Sequence, residues 1–230
     1  MNRKLDVWTS WAVSISRLGS GLFVGAPGPR PARTLILYEF EACPFCRNVR
    51  EALTALDLEV EIRPCPKGGN RFRDELKQKT GRTQFPYFED PNTGAAMFES
   101  NDIIAYLYQH YGSGRVPPLR WSAPATVLSA PLAGLLRPAS ATAIKSRAPA
   151  LPLELYSFEI SPYCRIAREA LCRLEIPYRL HNVGKHSPSR KRFVELSGKM
   201  MVPFLIDPNT GAKMFESADI KAYLHQTYAL

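Results

Sequence analysis

The sequence predicts an α/β protein built from two homologous modules, each with a small mixed β-sheet and flanking helices. Three observations support this prediction. Residues 90–112 recur as residues 207–229 with 17 of 23 positions identical. A β-rich run precedes each of two cysteine-containing turns, and an apolar stripe at helical spacing follows each turn. The two copies lie 118 residues apart at the turns and 117 apart in the longer repeat, so they differ in length by one residue.

The first module is predicted to follow the order β-α-β-α-β-β-α. The strands are expected at 34–40, 58–63, 87–89 and 96–99, and the helices after the cysteine turn, at 70–79 and from a cap at Ser100 onward. The first helix carries its apolar stripe at Val49, Ala52, Leu53 and Leu56. Two strands joined through a helix should be parallel, whereas the last two should form an antiparallel hairpin around the turn DPNTG. Each module therefore has a mixed four-stranded sheet.

The domain boundaries follow from the repeat and from composition. The modules are predicted at 34–113 and 151–230, each about the size at which a small domain can form its own core. Residues 114–150 form a basic linker rich in Pro and Ala, with five Lys or Arg and no Asp or Glu over 113–150. Residues 1–33 form a basic amphipathic segment or a transit-like tail, two interpretations that the sequence leaves open.

Composition narrows the function classes. The net charge of +9 lies mostly in the tail and the linker, outside the two modules, and no aromatic platform accompanies these basic residues, so nucleic-acid binding is not favoured. Five cysteines at uneven spacing do not form a secreted disulfide framework, so a reducing compartment is expected. No apolar run approaches the ~20 residues of a transmembrane helix.

The two cysteine turns carry the candidate chemistry. CPFC places Cys43 at a strand-to-helix junction, where backbone N–H groups and the helix dipole favour a thiolate, and Cys46 one turn later can attack a mixed disulfide on Cys43. The alternative is half of a zinc site, which needs a second pair of ligands. Because His110 and Cys65 are scattered in the sequence, no metal is expected.

The ordered set of motifs resembles two tandem modules of the glutaredoxin and glutathione S-transferase N-terminal-domain family, which has a thioredoxin-like fold. In the first module the set is CPFC, then QFPY at 84–87, then FES at 98–100. The second module repeats it as SPYC, MVPF and FES at 161–164, 201–204 and 215–217. The resemblance covers nearly all of both modules, and the order of the motifs is more specific than any one of them.

The resemblance implies that glutathione is a co-substrate. Phe85, before an expected cis-Pro86, would pair its backbone with the cysteinyl part of glutathione. Ser100 and the first N–H groups of its helix would bind the γ-glutamyl carboxylate, and Glu99 would receive the α-ammonium. In the second module the matching residues are Val202, Pro203, Glu216 and Ser217.

The loop after the second strand should open near Cys43, because ligands bind at the carboxyl edge of parallel strands. It brings Cys65, Lys67, Arg71 and Arg73 toward the site. We expect Lys67 or Arg71 to neutralise the glycyl carboxylate of glutathione and Cys65 to be an accessory thiol. A solvated basic loop and a semi-buried cysteine are the alternatives.

The second module lacks the first cysteine of the pair. Ser161 cannot form a mixed disulfide, although its hydroxyl can donate to a glutathione thiolate, as in some transferases that the sequence resembles. Cys164 stands at the less exposed, resolving position, and Cys172 fits a small core residue. This module is therefore expected to bind glutathione or to be structural.

The leading hypothesis is a glutathione-dependent thiol–disulfide oxidoreductase acting on disulfide or glutathionylated substrates. A glutathione transferase is the alternative enzyme, although the expected all-helical C-terminal domain is missing from the sequence. A third hypothesis is a non-catalytic scaffold whose basic segments make peripheral contact with an anionic membrane. The alternative interpretation of the same segments is that they are helices that pack the modules together. An iron–sulfur cluster bound by Cys43 is suggested by analogy only. The resemblance places the protein in a bacterial cytoplasm or the plastid stroma.

Overall fold

The structure, a computed structural model, describes residues 21–25, 27–116 and 142–230. The first module contains β1 (Leu35–Glu39), α1 (Pro44–Ala55), β2 (Val60–Pro64), α2 (Arg71–Thr80), β3 (Tyr87–Asp90), β4 (Ala95–Phe98) and α3 (Ser100–Tyr111). The second contains β5 (Leu153–Ser157), α4 (Pro162–Arg173), β6 (Tyr178–Asn182), α5 (Ser189–Ser197), β7 (Phe204–Ile206), β8 (Lys213–Phe215) and α6 (Ser217–Tyr228). The predicted α/β class and element order are confirmed in both.

Each module forms the mixed four-stranded sheet that the sequence predicts. β1 pairs in parallel with β2 and antiparallel with β3, and β3 and β4 form the antiparallel hairpin. β5 to β8 repeat these pairings. The chain leaves β1 through α1 to reach β2, so the carboxyl end of β1 delivers the cysteine turn to the start of a helix.

The two sheets join into one, which the sequence did not predict. β2 pairs antiparallel with β6, giving eight strands in the order β4-β3-β1-β2-β6-β5-β7-β8. Val60 lies opposite Leu180 and Ile62 lies opposite Tyr178. Since Tyr178 and Leu180 are the repeat counterparts of Val60 and Ile62, the pairing is reciprocal, like the interface of a two-fold symmetric dimer.

The sheet divides the helices into two layers. Leu35, Leu37 and Glu39 point from β1 toward α1 and α3, whereas Ile36 and Tyr38 point toward α2, as the period of two in a strand requires. On the first face one continuous buried cluster spans both modules. On the other face each module has a smaller cluster of its own, around Tyr38 and around Phe193.

The backbone segments that precede the modules cross from one module to the other. The Val24 N–H donates to the Lys185 carbonyl at 2.8 Å, and the Ala143 N–H donates to the Lys67 carbonyl at 2.9 Å. Each segment therefore reaches the loop after the second strand of the opposite module. The described parts, residues 21–25 and 142–150, contain no helix and pack the modules together. The helices considered above fall mainly on residues 1–20 and 117–141, which lie outside the described residues.

The strongly repeated turn has a structural role that orients the last helix of each module. The Asp90 carboxylate accepts hydrogen bonds from the hydroxyls of Tyr106 and Tyr111 on α3, at 2.7 and 2.5 Å. Asp207 accepts the same bonds from Tyr223 and Tyr228 on α6. These hydrogen bonds hold the pKa of both aspartates low despite their burial. Among the described helices, none is long and apolar enough to cross a membrane.

Candidate active site

Cys43 caps the first helix. It follows β1, has extended backbone angles (φ −75°, ψ 120°), and precedes Pro44, which suits the first helical position. Its sulfur accepts the N–H of Cys46 at 3.3 Å. A side chain at this position meets backbone N–H groups that no helical carbonyl satisfies, so the N-cap favours a negative charge on the sulfur.

The two thiols of CPFC have pKa values shifted in opposite directions. Hydrogen bonding from Cys46 lowers the pKa of Cys43, which overcomes burial, and backbone N–H groups and the Arg50 charge lower it further. Burial raises the pKa of Cys46, and its neighbours Cys43 and Glu39 raise it again. Burial likewise raises the pKa of Cys65 and Cys172. The arrangement provides one thiol poised to ionise and a second held protonated beside it.

The expected cis-proline lies next to the cysteine turn. The Phe85–Pro86 bond is cis, and the Phe85 ring meets Phe40 edge-on at 6.0 Å between centroids. The Phe40 carbonyl accepts the N–H of Cys43 at 3.0 Å. Phe40 therefore contacts both the residue before the cis-proline and the cysteine turn, the two motifs between which the resemblance expects the cysteinyl part of glutathione.

Arg73, which is not one of the two residues favoured from the sequence, places its charge over the aromatic rings beside the cis-proline. Its guanidinium lies 4.8 Å from the centre of the Phe85 ring and 5.9 Å from that of Phe40. It also donates to the carbonyls of Cys65 and Pro66, which fixes the position of the charge. The sequence placed Arg73 in this loop but did not single it out, because loop spacing does not reveal which side chain turns toward the cis-proline.

The structure does not bring Arg71 to Cys43. The Arg71 guanidinium donates to the carbonyls of Leu174, Glu175 and Ser146, all outside the first module. The preference for Arg71 overlooked the pairing of β2 with β6, which places the start of α2 at the junction between modules. Lys67 is exposed, and its carbonyl accepts from Ala143. Cys65 is fully buried, and its thiol faces the Arg63 carbonyl at 3.4 Å.

Glu99 and Ser100 stand at the start of α3, with one correction. Ser100 is the first helical residue and Glu99, not Ser100, occupies the cap position, without a side-chain cap bond. Glu99 has φ 68° and ψ 117°, and Glu216 repeats this with φ 64°. Positive φ is uncommon for glutamate, and its recurrence at one position of both modules marks a backbone constraint of the kind that gathers at binding sites.

The second module keeps the frame without the nucleophile. Ser161 is the N-cap of α4, and its hydroxyl oxygen accepts the N–H of Cys164 at 3.3 Å, as Cys43 accepts that of Cys46. The Val202–Pro203 bond is cis, and Ser217 begins α6 after Glu216. Cys164 is fully buried. The backbone geometry of the two sites therefore matches, and the side chain at the N-cap distinguishes them.

Sequence reasoning missed a buried ion cluster where α1 and α4 meet. Arg50 donates to Glu159 of the second module at 3.0 and 3.2 Å, and Arg168 donates to Glu41 of the first module at 3.0 Å through two nitrogens. All four side chains are at most 1% exposed. The sequence contained a signal for this cluster, because a Glu before the cysteine turn and an Arg within the apolar helix recur at the 118-residue offset.

The family assignment comes from a sequence model described as "Glutathione S-transferase, N-terminal domain", which matches residues 37–116 and again residues 155–230. The two matches cover more than half of the chain and coincide with the two modules. The chain belongs to the glutathione S-transferase N-terminal-domain family. The expected thioredoxin-like tandem is thereby confirmed, and members of this family are usually enzymes that use glutathione.

Two solved structures resemble this family member weakly. A Bombyx mori glutathione transferase, BmGSTD1, is 25% identical over 36% of this chain and 38% of its own length, with a TM-score of 0.33. A trimeric glutathione transferase from Leishmania, TDR1, is 16% identical over 86% of this chain and 68% of its own, also with a TM-score of 0.33. No curated protein matches the chain. The assignment therefore rests on the two sequence matches.

Proposed function

We propose that the chain is a glutathione-dependent thiol–disulfide oxidoreductase in which the first module carries out the redox chemistry. The observation that carries this proposal is Cys43 at the N-cap of α1, with its pKa lowered, beside Cys46 with its pKa raised. The Cys43 thiolate attacks a disulfide or glutathionylated substrate and takes one sulfur into a mixed disulfide. Cys46 then attacks the Cys43 sulfur and releases the bound thiol, or a glutathione thiolate attacks the bound sulfur, forms a disulfide with it and frees the Cys43 thiolate.

The glutathione site that we propose surrounds this thiol. Phe85, beside cis-Pro86, offers its backbone to the cysteinyl part, and Ser100 with the first turn of α3 binds the γ-glutamyl carboxylate. Glu99 receives the α-ammonium. For the glycyl carboxylate we now favour Arg73, because its charge lies over Phe85 and Phe40; Lys67 stays a prediction.

The test is reduction of a glutathione mixed disulfide by the purified protein. Cys43→Ser should bring the rate to that of the reaction without enzyme, because an alcohol does not ionise at neutral pH. Cys65→Ser is the matched control, since that thiol is buried, and it should keep most of the turnover. Equal rates for wild type and Cys43→Ser would exclude the proposed chemistry.

A second candidate, glutathione conjugation, draws on the second module. Ser161 presents a hydroxyl at the position of Cys43, beside cis-Pro203 and before the Glu216–Ser217 pair. That hydroxyl can donate to a glutathione thiolate without forming a bond to it. The test is conjugation of glutathione to a chlorinated aromatic compound. Activity that persists in Cys43→Ser but is lost in Ser161→Ala would favour this candidate. Absence of conjugation by the wild-type protein would exclude it.

A scaffold on a membrane surface has less support. The described part of the basic linker, residues 142–150, forms backbone hydrogen bonds with both modules. This part of the linker therefore packs against the modules. Peripheral membrane contact and a location in the bacterial cytoplasm or plastid stroma stay predictions. Within the described residues, no group of three or more His, Cys, Asp or Glu is arranged to hold a metal ion.

A further inference from the structure

A cavity of about 410 Å³ lies between α5 and the sheet of the second module. Residues of β5, β6, β7 and α5 line it, together with Glu59 of the first module. It lies on the face of the sheet that holds the Phe193 cluster, whereas α1 and α4 pack on the other face. None of the residues assigned above to the two candidate glutathione sites lines it. Its volume falls in the range of small-molecule sites, roughly 300–1,000 Å³.

Part of the cavity lining is apolar and flat. The Tyr156 ring lies between the rings of His181 and Phe193 in a parallel stack, with centroids 4.4 and 4.9 Å apart and planes inclined by 13° and 22°. Val183 and Leu196 also line the cavity, and Leu196 is 45% exposed, so an apolar side chain faces solvent at its opening. A ligand with a flat apolar body can pack against this surface.

The carboxylates of the cavity already have cationic partners. One ring nitrogen of His181 contacts Glu59 at 2.8 Å, and the other contacts Glu154. Arg179 also pairs with Glu154, at 3.4 Å. A cationic ligand would therefore have to displace His181 or Arg179 before it could bind either carboxylate.

The polar groups of the cavity that have no partner are hydrogen-bond donors. Arg192 forms no hydrogen bond or ion pair with any of the described residues. The Nε atom of Arg179 is buried, and within the described ranges it finds no acceptor. The hydroxyl of Tyr156 likewise has no partner in the part of the chain that the structure describes. A buried donor without an acceptor costs free energy, so these groups fit an anionic ligand better than a neutral or cationic one.

Arg192 takes the place of an acid in the first module. Gly81 and Gly198 end α2 and α5 in the same left-handed conformation, and Arg192 precedes Gly198 by the same number of residues as Glu75 precedes Gly81. Glu75 accepts the hydroxyl of Tyr38 at 2.6 Å. Because arginine replaces this acid in the second module, the matching tyrosine hydroxyl there has no carboxylate to bind.

The charges on the central strands differ between the modules in the same way. In β2, Glu61 and Arg63 pair at 3.0 Å, and Arg63 also pairs with Glu75. Their counterparts in β6 are Arg179 and His181. The first module therefore has an internal ion network at this position, whereas the second has three basic side chains. Since the modules share one fold, the basic set is a property of the second module and not a requirement of the fold.

We propose that this cavity binds a small organic carboxylate with a flat apolar body, at a site separate from the candidate glutathione sites. The carboxylate accepts hydrogen bonds from the guanidinium of Arg192 and from Nε of Arg179, while the body packs against Phe193 and Leu196. Arginine suits this role, because its planar guanidinium can bind a carboxylate through two parallel hydrogen bonds. The site does not depend on the redox chemistry proposed for Cys43.

The test is isothermal titration calorimetry of the full-length protein with 2-naphthoate, which joins a carboxylate to a flat apolar body. We expect one site per chain with a Kd of about 1 mM or tighter. 2-Naphthalenemethanol has the same rings without the charge and should bind at least about tenfold more weakly, since it loses a charged hydrogen bond. Saturating glutathione should leave the Kd of 2-naphthoate unchanged.

Two charge-reversal variants on α5 separate a specific site from general attraction to a basic chain. Arg192→Glu gives the second module the acid that Glu75 provides in the first, and it should weaken 2-naphthoate binding by at least about tenfold. Arg190→Glu is the matched control, because it makes the same change on the same helix at a residue that does not line the cavity. It should change the Kd by no more than about twofold, since exposed charges are screened by salt.

Three results would overturn the proposal. The first is no binding of 2-naphthoate at millimolar concentration. The second is displacement by glutathione, which would place the probe in a glutathione site. The third is an equal loss of affinity in Arg190→Glu and Arg192→Glu. If circular dichroism shows that Arg192→Glu does not fold, Leu196→Trp tests the same cavity by filling it from an exposed position, and unchanged binding in that variant would count against the site.

Discussion

Cys43 and Ser161 occupy the same N-cap in two modules whose strands, helices and cis-prolines correspond. Each accepts the N–H of the residue three positions later at 3.3 Å. The modules differ in the nucleophile and in one buried side chain at the end of the first strand. This side chain is Glu39 in the first module and Ser157 in the second. The comparison teaches that the backbone frame and the redox chemistry are separable, since the frame persists in the module from which both groups are missing.

The largest expected effect tests whether the modules depend on each other. Arg50→Ala and Arg168→Ala should each cost about 3–5 kcal/mol of unfolding free energy, because each removes a buried guanidinium that compensates the charges of Glu41 and Glu159. Arg50→Ala should cost more, since Arg50 also contacts Glu39. Urea unfolding at pH 7 measures both.

Arg179→Ala is the control for that experiment. It removes a half-exposed pair with Glu154 and should change stability by no more than about 1 kcal/mol. If the two buried variants behaved like this control, the cluster would not be what holds the modules together.

The next effect concerns which thiols react. At pH 6.5 iodoacetamide should label Cys43 more than tenfold faster than Cys46 or Cys172, because a lowered pKa keeps thiolate present below the ordinary value of about 8.5. Peptide mass spectrometry over time gives each rate. Preferential labelling of Cys46 would reverse the assigned roles of the pair.

Ser161→Cys tests whether a cysteine at the N-cap is sufficient for redox chemistry in the second module. The variant should form a glutathione adduct at position 161, because the N-cap geometry matches that of Cys43. Mass spectrometry after quenching with an alkylating agent detects the adduct. A folded Ser161→Cys variant that forms no adduct would contradict the parallel between the modules.

The smallest effect lies on the opposite face of the sheet. His181 sits between Glu59 of the first module, at 2.8 Å, and Glu154 of the second. Burial opposes its charge, but the hydrogen bonds that its ring nitrogens donate to both carboxylates raise the pKa of His181. Its contribution is therefore complete below about pH 6.5 and is lost as pH rises through the raised value.

His181→Gln should accordingly cost about 1 kcal/mol at pH 6 and less at pH 9, as measured by urea unfolding. The counterpart in the first module is Arg63, which stays charged, so Arg63→Gln should show a pH-independent cost. Equal pH profiles for the two variants would show that the histidine charge does not contribute to the contact between modules.

The sequence by itself determined the modular plan. The 117- and 118-residue repeats, the alternation in β1 and the helical stripe from Val49 to Leu56 are local periodic patterns, and local patterns survive in the folded chain. The motif order CPFC, QFPY and FES indicated the family and the two cis-prolines, although no local propensity favours a cis bond. The N-cap role of Cys43 followed from its place between a strand and a proline.

Only the tertiary structure decided how the modules meet. Any strand edge offers backbone N–H and C=O groups, so the pairing of β2 with β6 leaves no distinctive mark in the sequence. That pairing carried Arg71 to the second module and left Arg73 beside Phe85. It also buried Glu39 among charges from both modules. The pKa of this carboxyl could not be predicted from the sequence, because it depends on the groups that surround the carboxyl in space.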